Sequence, residues 1–124
     1  MKDPANPVCR TISTLLSRIG DKWTVLVVGT LAEGPRRFNE LRREIPSVSQ
    51  RMLTLTLRNL ERDGLVNRTV TPSIPPRVDY ELTELGHSLQ KPIKGLADWA
   101  IDNVERIHAA QSEFDTAHDK AEAA

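Results

Sequence analysis

The chain has one cysteine, five aromatic residues, no net charge and no long hydrophobic run. A single thiol cannot close a disulfide within the chain. Two Trp, two Phe and one Tyr leave little surface for stacking the bases of single-stranded nucleic acid. A formal charge of zero argues against a generally basic nucleic-acid coat. The run Val25-Leu26-Val27-Val28 is only one helix turn, far short of the ~20 apolar residues that span a membrane. Met1-Lys2-Asp3-Pro4 lacks the apolar core of a signal peptide, so a cytoplasmic protein with no membrane partner is expected. There is no Gly-rich phosphate loop, no GxSxG and no HExxH. His87, His108 and His118 have no metal-ligand spacing and no CxxC companion. No catalytic activity, metal or cofactor is expected.

What is present is unevenly placed. Residues 1–33 carry four Lys/Arg against three Asp/Glu, residues 34–79 nine Arg against five acids, and residues 80–124 four bases against nine acids. The local charges are therefore +1, +4 and −5. An arginine-only basic middle suits a local phosphate-facing surface. With 124 residues and 39% apolar content the chain forms one domain with a lean core.

Periodicity predicts the order of elements. Residues 1–8 form a loose arm. Val8, Ile12, Leu15, Leu16 and Ile19 mark a first helix ending at Gly20. Asp21 caps a second, whose inner face reads Trp23, Leu26, Val27, Thr30 and Leu31, stopped by Gly34-Pro35. Phe38, Leu41 and Ile45 give a short third helix closed by Pro46. A fourth starts at Ser47, which has the spacing of a capping box with Gln50, or at the rival cap Ser49. Leu53, Leu57 and Leu60 face inward and Gly64 ends it. Two strands, Leu65–Thr71 and Val78–Leu82, flank a tip stiffened by Pro72, Pro75 and Pro76. From Thr83 to about Ala110 a long helix, kinked or interrupted at Pro92, carries Leu85, Leu89, Ile93, Leu96, Ala100, Val104 and Ile107. Such a helix is roughly 40 Å long, more apolar surface than a small domain covers alone. A tail at 113–124 is expected to fray.

The fold class is therefore α+β, mostly helical: a winged helix-turn-helix with a two-stranded wing and a long C-terminal dimerisation helix. On the fourth helix Arg51, Thr54 and Arg58 lie away from the leucines, with Gln50 at the N-terminal edge. Arg pairs bidentately with guanine, Gln with adenine, and Thr reaches a base, a methyl group or a phosphate. Ser47 and Ser49 stand at the helix start, whose amides suit a phosphate. Arg77 at the wing reaches the minor groove or a phosphate. Arg36, Arg37 and Asn39 are assigned to phosphate contact, with pairing to Glu40 or Glu44 as the alternative. Cys9 begins the first helix beside Arg10, where a thiol gains reactivity. It also falls in register with Ile12 and Leu16, as a small buried residue would.

Four stretches together resemble one family: Ile19–Leu26, Gly34–Leu41, Ser49–Thr54 and Leu60–Val66. Pro75–Thr83 and Leu85-Gly86 look like the same family's wing and following helix. The resemblance, to the HxlR-type bacterial transcription regulators, covers roughly residues 9–101. It implies a homodimer on a palindromic operator, with first and last helices at the interface. It also implies that a cysteine near the first helix, here Cys9, senses electrophiles or oxidants. The expected domain spans 9–112. Its interface would use Val8, Ile12, Leu16, Leu89, Ile93, Leu96, Trp99, Ala100, Val104 and Ile107. The partners expected are double-stranded operator DNA, a second copy, and a small-molecule or oxidant effector. The function expected is a sequence-specific DNA-binding transcription regulator, a repressor in the first instance, with activation left open by the sequence. The alternative is a winged-helix module that contacts a protein.

Overall fold

In the computed structural model the described residues are 6–123, with side chains through Asp119. Six helices and three short strands occur among them. Most of the loose arm expected at 1–8 lies outside the described residues, and its last part is ordered into a helix. Asn6 Oδ1 accepts a 2.8 Å hydrogen bond from Val8 N, and Pro7 occupies the first position of α1 (Pro7–Gly20). Proline suits that position because its missing N–H would have no helical partner there.

Asp21 ends α1 and caps α2 (Lys22–Leu31), its Oδ2 accepting from Thr24 N at 3.0 Å and from the Thr24 hydroxyl at 3.2 Å. That pairing satisfies a threonine in the core, and the buried face of α2 is Thr24, Val27, Val28 and Leu31. The phase therefore differs from the expected one: Leu26 is exposed, and Trp23 and Thr30 are half-buried. Val25 to Val28 are all apolar, so periodicity could not set the rotation; the Asp21–Thr24 bonds and the core did.

A strand that periodicity does not show, β1 (Arg36–Arg37), follows and runs into α3 (Phe38–Glu44). Two residues carry no alternation to read, and only pairing with a distant strand defines them. Leu41 and Ile45 reach the core from α3. In the turn that follows, Val48 is buried, and α4 (Gln50–Arg62) begins after Ser49, whose Oγ accepts from Met52 N at 3.0 Å. Ser47 is left in the turn, so its expected capping box with Gln50 gives way to the rival cap. Burying Val48 draws the turn inward and delays the helix by two residues. Leu53, Leu57 and Leu60 are buried as their spacing predicts. Gly64, with φ 77°, supplies the left-handed residue that ends α4.

The hairpin β2 (Val66–Thr71) and β3 (Arg77–Leu82) pairs antiparallel from Val66↔Leu82 to Thr71↔Arg77. β1 adds to the other side of β3 through Arg36↔Tyr80 and Arg37↔Asp79, so the expected two-stranded wing is part of a three-stranded sheet ordered β1-β3-β2. Thr83 then caps α5 (Glu84–Ser88).

Two compact units divide after Gln90. The second is essentially α6 (Gln90–Ala123), 34 residues and about 51 Å long. The expected single helix from Thr83 breaks at Leu89, not at Pro92. Pro92 is the third residue of α6, where no backbone donor has an intrahelical acceptor to lose. Nor does the helix stop near Ala110 or fray at 113. No glycine or proline follows Gly95, and the Phe114 and His118 rings stack one turn apart with centroids 3.8 Å apart. No helix among the described residues is long and apolar enough to cross a membrane.

Candidate nucleic-acid interface

The amphipathic cut of α4 sets the first part of the site. Leu53, Leu57 and Leu60 are consumed by the core, and Gln50, Arg51, Thr54 and Arg58 are exposed. The Thr54 hydroxyl donates to Gln50 O at 2.8 Å, as a helical threonine commonly does. That bond uses the hydroxyl proton and leaves the oxygen able to accept a further one. Ser49 is occupied by capping, while Ser47 stands exposed in the preceding turn. Leu55 and Arg62, which the sequence reading did not single out, are exposed on the same outer side.

The second part is a groove of about 1000 Å³ between the start of α3 and the wing. Arg37, Asn39 and Arg43 line one wall, and Ser73, Pro75, Pro76, Arg77 and Asp79 line the other. Three of the sequence-predicted residues, Arg37, Asn39 and Arg77, are thus brought together. Arg43 is the addition. Its signal was available, because Asn39 and Arg43 are four apart on one helix and share a face. The acids of the groove are engaged locally. Glu40 Oε1 accepts from the Arg37 amide at 3.0 Å, and Asp79 accepts from Arg77 Nε at 2.9 and 3.2 Å. Asp79 holds the Arg77 guanidinium against the wing, with half of that side chain open to solvent. The Ser73 hydroxyl ties the wing tip by donating to Pro75 O at 2.8 Å; the Ile74–Pro75 peptide is cis.

Arg36 is not in the groove. Its Nε lies 2.9 Å from Glu44 and its Nη2 3.3 Å from Glu33, while Nη1 donates to Gly34 O and Pro35 O. Of the two roles open to it, pairing with Glu44 is the one formed. An arginine spent on two carboxylates and two carbonyls has little left for a phosphate, so phosphate contact is withdrawn for Arg36.

Cys9 is the third residue of α1 and is 5% exposed. Val8, Leu15 and Leu16 on α1 are exposed, and Ile12 is half-buried. On α6 Leu96, Trp99, Ala100, Val104 and Ile107 are exposed and Ile93 is half-buried, as is Leu89 just before it. Each helix, taken by itself, therefore carries apolar side chains that are exposed among the described residues.

A family model described as HxlR-like helix-turn-helix matches residues 18–108. The chain is 42% identical over 107 residues to the HTH-type transcriptional regulator YdeP of Bacillus subtilis, covering 84% of each protein. Among solved structures it is similar to the redox regulator HypR in its reduced form, with TM-score 0.72 and 40% identity over 80% of this chain and 98% of that one. It is also similar to the reduced form of the transcriptional regulator YodB from B. subtilis, with TM-score 0.66 and 38% identity over 73% and 88%. The chain belongs to the HxlR-like helix-turn-helix family of transcription regulators.

Proposed function

We propose that this protein is a homodimeric, sequence-specific repressor that places α4 in the major groove of a palindromic operator. The observation that carries the reading is that Gln50, Arg51, Thr54 and Arg58 are exposed on a helix whose Leu53, Leu57 and Leu60 are fully buried. Arg51 and Arg58 donate to guanine edges, and Gln50 and Thr54 reach neighbouring bases. Arg37, Asn39, Arg43 and Arg77 take the phosphates beside that contact, which positions α4 without specifying sequence. A second copy covers the apolar residues of α1 and α6 and sets the two α4 helices about 34–36 Å apart, one turn of duplex.

Fragments selected from genomic DNA test this directly. Binding is expected to weaken steeply with salt as phosphate contacts release counterions. Arg51→Ala is expected to weaken the selected operator by about 1–3 kcal/mol, with a smaller change on unrelated DNA. An unchanged operator affinity removes Arg51 from the reading face. Salt-independent capture of a protein in place of DNA would favour an interaction module instead.

Regulation by oxidant is supported by the likeness to HypR and YodB, the former named as a redox regulator. Cys9 is the only thiol, so any disulfide formed within this protein joins two chains. Because Cys9 is buried, the first turn of α1 must open for it to react. Cys9→Ser is expected to keep the fold and the operator affinity while losing release by diamide, followed by mobility shift and non-reducing gel. Release that persists in the variant would rule out Cys9 as the switch.

A further inference from the structure

We propose that Leu55 is a specificity-determining residue of the recognition helix, contacting the C5 methyl group of a thymine next to the base pair engaged by Arg51. The assignment rests on the DNA-reading role of α4 given above. Three other leucines of this helix, Leu53, Leu57 and Leu60, are at most 1% exposed, whereas Leu55 is 49% exposed. At 3.6 residues per turn, Leu55 lies about 40° around the helix from Arg51, about 60° from Arg58 and about 160° from Leu53. It therefore stands on the outer face, to one side of Arg51 and at a height along the helix between the two arginines, with about half of its side chain open to solvent. A single exposed leucine is ordinary on a protein surface. This one is set apart by its place on the reading row, with an arginine on each neighbouring turn.

The chemistry of the groove then narrows its partner. Guanine offers N7 and O6 to an arginine fork, and adenine and cytosine present polar groups that a leucine cannot satisfy. The methyl of thymine is the one apolar group on a base edge in the major groove. A helical side chain leans toward the N-terminus of its helix, so Leu55 lies back over the turn that carries Arg51. The arginine and the leucine are thus placed to address adjacent base pairs. A thymine at a fixed offset from the Arg51 guanine is the expected signature in each half-site.

The test uses duplexes recovered by the full-length protein from a random-sequence library. Each thymine of the recovered half-site is replaced in turn by deoxyuridine, which lacks only the methyl. At one position the replacement is expected to weaken the wild-type protein about fourfold, the transfer value of one methyl-sized group. Leu55→Ala is expected to bind the thymine and uracil duplexes equally at that position and to respond like the wild type elsewhere. Leu55→Gln, a slightly longer side chain ending in an amide, is expected to shift selection there toward adenine. Circular dichroism of both variants checks the fold, which a half-exposed side chain should not disturb. Uracil effects that are the same in the wild type and Leu55→Ala would overturn the assignment and leave the role of α4 standing. Failure of the wild type to enrich any sequence would overturn that role, and the assignment with it.

Discussion

Gly86→Ala is expected to destabilise the fold by about 3 kcal/mol or more, seen as a lower urea midpoint. An added Cβ would stand 2.1 Å from the carbonyl oxygen of Leu65 and 3.1 Å from both its carbonyl carbon and Leu82 Cδ2. That carbonyl already accepts the Thr83 amide at 3.0 Å. The Thr83 hydroxyl in turn donates to Gly64 O at 2.7 Å and accepts from Gly86 N at 3.0 Å. The first turn of α5, the end of β3 and the turn between α4 and β2 therefore meet at one backbone group, which cannot swing aside as a side chain would. Helix propensity alone points the other way, favouring alanine by up to about 1 kcal/mol, so the sign itself is informative. Gly29, where an added Cβ meets nothing within 4 Å, is the control. Gly29→Ala should be neutral or stabilising by up to about 1 kcal/mol. Equal stability of Gly86→Ala and the wild type would show that α5 does not approach Leu65 so closely in solution.

The second large effect is expected from Asp63→Ala, a loss of about 2–4 kcal/mol. Arg18 Nε in the last turn of α1 lies 2.6 Å from Asp63 Oδ2 at the end of α4, with the two side chains 15% and 13% exposed. The contact is ionic rather than an aligned hydrogen bond, and among the described residues neither atom has a hydrogen-bond partner. Removing the carboxylate leaves a largely buried guanidinium without its counter-charge, which is the costly half of breaking such a pair. Replacing both partners, as Arg18→Met with Asp63→Leu, should recover most of the loss, because two apolar groups carry no desolvation penalty. A double-mutant cycle in urea measures the coupling. A loss under about 0.5 kcal/mol, the size of an exposed pair, would mean the contact is solvated. The same pair fastens α1, which carries Cys9, to the end of the helix proposed to read DNA.

Where the fold was legible, a repeated local pattern carried it. Three leucines spaced by four and three defined the inner face of α4, and with it the outer row of arginines. Prolines at the tip, β-branched residues on either side and Gly64 before them marked the hairpin. Errors fell where local pattern is silent. The run Val25–Val28 is apolar all round and has no phase of its own. Two-residue β1 has no alternation. Ser47 and Ser49 both have the chemistry of a cap, and burial of Val48 selected between them. Leu89, an ordinary helix former, gives no hint of the break between α5 and α6.

The site divides along the same line. Composition and spacing were enough to place an arginine-bearing helix before a wing, because helix periodicity converts sequence distance directly into a shared face. Which arginines are available for a phosphate is a different matter, since it depends on partners distant in the chain or fixed by the fold. Arg36 sits in a run as basic as Arg37's, yet Glu33 and Glu44 engage it, while Arg37 joins Arg43 and Arg77 across a groove. Sequence alone determined that this chain is built to present one polar helix face beside a hairpin. Only tertiary packing decided which charges are neutralised within the fold and which remain outward, because ion pairing and burial are set by neighbours in space.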